Sequence, residues 1–284
     1  RYTHMTPSAQ ENTLYEKWIH IFEDVISSKY PEFDSKRILK LAQENARYLI
    51  SVFTPATVME YTVNFGQLNY IINWAKDYIN NADDSAFSLK LKDVFREFLD
   101  AMPDLEVDGL DSRMKNRSFS LFSTRSNRYE EFGENYCTSY LASFAQLAQA
   151  QRHRTLSYEM SLLDTPEYYI PPIIRETDLE NSWLEDISSL SHYFPQGMLV
   201  KVNERGTIEN FVLKCTERLC GSAQLEIMEQ TSEIMNKYLA ATVDKTELHD
   251  YLLPYSKGAR CTFPGWKCNS PCIFGGKNAM NRLI

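Results

Sequence analysis

Apolar and polar positions along this chain recur with two different periods. Over residues 12–30 (NTLYEKWIHIFEDVISSKY), Leu14, Trp18, Ile21, Phe22, Val25 and Ile26 return three and four positions apart. That spacing predicts an amphipathic helix with one apolar face, and Pro31 ends it. Asp34 or Ser35 can cap a second helix reaching about Ser51, because a short side-chain oxygen satisfies the free N–H groups of a first turn. Residues 53–62 are rich in β-branched and aromatic side chains and carry Pro55 near their start, which predicts a short strand. Helices are expected over 66–79 and 86–101. The run PDLEVDG at 103–109 reads as a linker. Alternation over 117–124 (RSFSLFST) predicts another strand, and 134–160 reads as one long helix. YYIPP at 168–172 is expected to be extended, since each proline disfavours helix in the residue before it. A strand over 198–203 precedes helices over 205–219 and 221–240, with Gly221 as a helix stop. The tail from Gly258 is rich in Gly, Pro and Cys and reads as loop.

The mixture predicts a helix-rich α+β protein with an antiparallel sheet. An internal echo divides it further. EYTVNFGQLNYIIN at 60–73 and LVKVNERGTIENFVL at 199–213 both run strand, Val-Asn, turn, then Asn and an aromatic on a helix. The two lie about one domain length apart, as two copies of one unit would.

Composition narrows the function classes. At 284 residues and 43% hydrophobic, the chain is long and apolar enough for one large domain or two ordinary ones. A net charge of -8 argues against sequence-independent nucleic-acid binding. No run of about 18 apolar residues suggests a membrane span. The chain opens at Arg1 without a secretory leader, as a processed or truncated chain would. Six cysteines are too dilute for a disulfide scaffold, so a reducing, cytoplasmic setting is expected. Cys261, Cys268 and Cys272 lack the paired spacing of a zinc site, and no metal is expected. No dinucleotide-binding or phosphate-loop glycine pattern and no hydrolase nucleophile elbow occurs.

Against this acidic background, QAQRHRTLSYEMS at 149–161 gathers Arg152, His153 and Arg154. On a helix Gln149, Arg152 and His153 would share a face. Guanidinium forks bind phosphate oxygens in bidentate fashion, and Ser157, Glu159 and Ser161 could bond a sugar or a second phosphate. The plainer alternative is a solvated helix end with cations near its negative pole. In TERLCGSAQLEI at 216–227, Arg218 could sit beside an acidic ring N–H of a base and favour its loss, or serve only as a cap.

Taken together these pieces resemble the flavin-dependent thymidylate synthases. The resemblance rests on Gln149, the RHR of 152–154 followed by Ser157, Glu159 and Ser161, the YYIPP run, the Val202-Asn203…Asn210-Phe211 segment, and Arg218 ahead of Ala223-Gln224-Leu225-Glu226-Ile227, all in the family's order. It implies reductive methylation of dUMP to dTMP, with methylenetetrahydrofolate as carbon donor, NADPH as reductant and FAD as cofactor. By the same resemblance Arg152, His153, Arg154, Asn203, Arg205 and Asn210 contact FAD, with Asn64 as the first copy's counterpart. Gln149, Glu159 and Ser161 contact dUMP, and Arg218 acts at the uracil as the catalytic group. Arg1-Tyr2 resembles the close of the signature, and Asn45-Ala46-Arg47 with Tyr61–Asn64 resembles a later part of the family's domain.

The implied organisation is the back portion of a first copy over 1–105, a second copy carrying RHR over 106–257, and a Gly/Cys-rich tail over 258–284. The front of the first copy would then be a missing partner segment, and two such chains would form a homo-oligomer equivalent to the family's tetramer. Each copy departs from the family's pattern. The second has one residue fewer between RHR and Ser161, Leu163-Asp164 where Arg-Tyr is expected, and no equivalent of Arg47. The first has Asn80 or Asn81 in place of Arg218. A composite site is expected, with Arg1 and Arg47 from the first copy and Arg218 from the second. The alternatives are a non-catalytic paralogue of the family and a helical interaction module with a metal-binding tail.

Overall fold

A computed structural model of the chain describes residues 5–56, 62–110, 135–268 and 272–284. Its amino-terminal helices are α1 (Ala9–Lys29), α2 (Ser35–Ala46), α3 (Phe65–Asn81) and α4 (Ala86–Asp100). There follow β1 (Tyr136–Ser143), α5 (Phe144–Ala150), β2 (Ser157–Leu162), α6 (Asp178–Ser189), β3 (Leu199–Gly206), α7 (Ile208–Arg218), α8 (Leu225–Ala241) and α9 (Thr246–Leu252). The three strands form one antiparallel sheet in the order β1-β3-β2. The chain is thus helix-rich α+β. No helix among the described residues is long and apolar enough to cross a membrane.

Local chemistry sets the helix starts. Ser8 and Glu11 form a reciprocal capping box at α1, Asp34 accepts from Arg37 N–H at α2, and Asn64 accepts from Gln67 N–H at α3. Gly221 lies in the turn between α7, which ends at Arg218, and α8.

Three expectations change. The long helix over 134–160 is instead β1, α5, a turn and β2. Tyr136, Tyr140 and Phe144 recur at helical spacing, but the burial of β1 follows a strand's alternation, and the helix cannot start before Ser143 caps it by accepting from Gln146 N–H at 3.0 Å. The strand over 53–62 is absent from its described part, where residues 52–54 turn and Ala56 makes an isolated bridge with Met5; Pro55 has no N–H to give a ladder. Residues 57–61, and the strand expected over 117–124, lie outside the described residues. The echoed asparagines take different places: Asn64 caps α3, whereas Asn203 sits inside β3 and Thr207 caps α7.

Two apolar cores form. One packs Trp18, Phe22 and Ile26 of α1 and Leu41 of α2 against Trp183 and Ile187 of α6. Trp18 and Trp183 meet edge to face at 4.9 Å, and Asp186 ties them down by accepting from Trp18 Nε1 at 2.7 Å. That core draws on both sides of residue 105. The other lies under the sheet, between Val200 and Val202 of β3 and Phe211, Cys215, Ile227 and Met228 of α7 and α8.

Candidate functional site

Because the strands are pleated, alternate residues of the sheet share a face. Val202 and Glu204 face the core with Tyr140 and Tyr158, and Glu204 is fully buried in contact with Lys214 Nζ at 2.6 Å. Lys201, Asn203 and Arg205 lie on the other face, opposite Ser161, Glu159 and Ser157 respectively. Asn203 Oδ1 accepts from Ser139 Oγ at 2.5 Å, and Arg205 Nη2 lies 4.0 Å from Glu159 Oε2. The residues expected to hold flavin and substrate on these strands therefore form one polar row above a packed core.

The RHR residues occupy the turn that joins α5 to β2, so Gln149, Arg152 and His153 do not share a helix face. His153 N–H donates to Ala150 O at 2.9 Å and Leu156 N–H to His153 O at 3.0 Å, which folds the turn back on itself. Arg152 and Arg154 are exposed there, and neither has an ion pair among the described residues. Asn210, in the first turn of α7, donates from Nδ2 to Thr155 O at 3.2 Å and so braces the same turn. Two unpaired guanidinium groups on one short turn are a donor set suited to phosphate oxygens. On the core face of β2 the Tyr158 hydroxyl is buried with no hydrogen-bond partner among the described residues.

Arg218 closes α7 and reaches the turn. Its Nε donates to His153 Nε2 at 2.7 Å and its Nη2 to Gln149 O at 3.2 Å. Burial, then the cations of Arg218 and Lys214, push His153 down to about 4. The imidazole is therefore neutral at pH 7 and accepts at Nε2, which leaves its proton on Nδ1. Burial and the neighbouring Arg152 lower Arg218 as well, yet a guanidinium keeps its charge throughout the physiological range.

Arg47 approaches from the amino-terminal half, at the head of a single 3-10 turn (Arg47–Leu49) that follows α2. Its Nη2 donates to Gln224 Oε1 at 2.7 Å, and Gln149 Nε2 donates to the same oxygen. Gln224 Nε2 in turn donates to the Tyr48 hydroxyl, which donates to Glu226 Oε2 at 2.8 Å. Glu226 also accepts from Ser143 N–H at 2.7 Å and Ser143 Oγ at 2.6 Å. Burial raises this carboxyl above its usual range, against the opposing pull of those hydrogen bonds. Arg47, Gln224, Gln149, Arg218 and His153 thus form one continuous hydrogen-bonded line joining residues 177 positions apart.

Of the residues expected to act together, this line unites Arg47, Gln149, His153 and Arg218. Glu159, Ser161, Asn203 and Arg205 lie on the outer sheet face, and no hydrogen bond among the described residues joins them to Arg47. Asn64 is exposed and spends its side chain on its own helix; Arg1 lies outside the described residues. Gln224, Tyr48, Glu226 and Ser143 were not expected in the site. Gln224 and Glu226 stand inside the quoted AQLEI segment and Tyr48 directly follows Arg47, so their neighbours were a usable signal. Among the described residues no group of three His, Cys, Asp or Glu side chains could hold a metal ion. No family model, curated protein or solved structure matches this chain.

Proposed function

We propose that the chain is a flavin-dependent thymidylate synthase built from a partial and a nearly complete copy of one unit, and that it methylates dUMP reductively at one composite site. The observation that carries this reading is the meeting of Arg47 and Arg218 around Gln149, since the two arginines come from the two halves. Arg152 and Arg154 would hold the phosphates of FAD, with Asn203, Arg205 and Asn210 beside them. When bound, FAD supplies the hydride that NADPH delivers for reduction of the one-carbon unit from methylenetetrahydrofolate. Arg47 and Gln149 would receive the dUMP phosphate. Among the described residues Arg218 spends two of its N–H groups, and its fixed positive charge beside a uracil favours loss of the N3 proton. Neutral His153 holds that guanidinium in place by accepting from Nε. In this reading the protein is cytoplasmic and assembles as a homo-oligomer of two-copy chains.

The visible spectrum of the chain with added FAD, followed by titration with dUMP, tests the reading. A bound-flavin spectrum perturbed by dUMP is expected, and Arg47→Ala should weaken the dUMP effect as much as Arg218→Ala does. An unchanged dUMP titration in Arg47→Ala removes the composite site. One observation favours a non-catalytic paralogue instead: Leu163-Asp164 stands where the family has Arg-Tyr. That reading predicts no flavin retention.

A further inference from the structure

A second concave site lies behind Gln224, where α2, the 219–225 turn and residues 272–284 come together. It encloses about 450 Å³, enough for a ligand of nucleotide size. Lys36, Arg37 and Lys40 of α2 line it, against the two carboxylates Asp34 and Glu44. The tail supplies Arg282, which is 5% exposed. Arg282 donates from Nη1 to Cys220 O at 3.4 Å and from Nη2 to Ala223 O, while its buried Nε has no partner. No carboxylate among the described residues pairs with it. Its guanidinium stacks over the Phe274 ring at 4.9 Å, and that ring also lines the cavity. Glu44 and Glu229 attract this guanidinium without forming an ion pair with it, and a buried guanidinium with an unspent N–H is stabilised further when an anion joins it. Burial indeed pulls Arg282 below the usual arginine range.

We propose that this cavity binds an aromatic ligand carrying a phosphate or carboxylate group, with the anion at Arg282 and Lys40 and the ring along Phe274. The cavity shares Tyr48 and Gln224 with the hydrogen-bonded line at Arg47, but the proposal places no ligand contact on the RHR residues, Arg47 or Arg218. Calorimetric titration of the full chain with dUMP, p-aminobenzoylglutamate and inorganic phosphate tests it. One of the two aromatic anions should bind saturably, at least about tenfold more tightly than phosphate, and more weakly as salt is raised. Preference for dUMP assigns a phosphate source, and preference for p-aminobenzoylglutamate a carboxylate source. Arg282→Gln should weaken binding by about tenfold or more. Because Arg282 also anchors the tail, the exposed Lys40→Glu is the second variant, and it should weaken binding in the same direction without unfolding the chain. No saturable binding of any of the three probes overturns the proposal, as does binding that Lys40→Glu leaves unchanged.

Discussion

Lys214→Met should cost the fold about 3–5 kcal/mol, because it strands a fully buried carboxylate. Lys214 and Glu204 are each completely enclosed, and their charged atoms lie 2.6 Å apart. At an effective dielectric near 20, that separation corresponds to about 6 kcal/mol of gross attraction. Desolvation of the two ions offsets most of it, so the intact pair contributes little net stability. Removing one partner takes away the attraction and leaves the other's desolvation in place. Glu204 would keep hydrogen bonds from Tyr136 at 3.0 Å and Tyr140 at 2.6 Å, which holds the loss near the lower end. Lys214 also lies over the Tyr140 and Tyr158 rings at 5.6 Å and 6.0 Å, and methionine retains most of that packing. Urea denaturation of Lys214→Met, Glu204→Gln and the double variant measures the coupling. The double variant should lose clearly less than the sum of the two single losses. Strict additivity would refute the reasoning, since it would mean that the two charges do not stabilise each other.

Replacing His153 by Gln should reduce the loss of stability in acid. A folded-state pKa depressed from 6.5 to about 4 means that the unfolded chain binds the proton more readily. The stability is therefore complete above about pH 6.5 and falls as pH drops towards 4; urea midpoints at pH 7 and pH 5 should converge in the variant. Gly197→Ala should destabilise by about 1–3 kcal/mol in thermal denaturation. An added Cβ there would lie 2.7 Å from Ile187 Cδ1 and 3.0 Å from Tyr48 Cβ, where Gly197 N–H now donates to Tyr48 O at 2.8 Å. In dUMP titrations monitored by flavin absorbance, Arg47→Ala and Arg218→Ala should each weaken binding about tenfold or more.

Much of the helical frame was legible because each of α1 to α4 announces itself twice, by an apolar stripe and by a capping side chain. Ser8, Asp34 and Asn64 all cap where a short polar residue precedes a periodic run. The stretch 136–160 was misread because its aromatic residues satisfy a period of four and a period of two together, and only pairing with the distant strand β3 decides between them. Pairing partners are a tertiary fact that a local window does not contain. The candidate site was legible in part for the same reason. Arg47, Gln149 and Arg218 could be singled out by chemistry and resemblance, whereas Gln224 became visible only when the fold brought Arg47 and Gln149 to the same amide oxygen.

That shared amide has a consequence for selectivity. Gln224 Oε1 accepts one N–H from Arg47 and one from Gln149, so those two N–H groups are already engaged within the chain. A ligand that used those same two N–H groups would take the place of a neutral amide, and its gain there would be the difference between two bonds. A phosphate exchanges well, because it offers Arg47 a full negative charge in place of a carbonyl dipole. A neutral nucleoside would have nothing better to offer those two groups. Under the proposed function Gln224 would act as a resident competitor for Arg47 and Gln149, favouring an anionic ligand over its uncharged analogue.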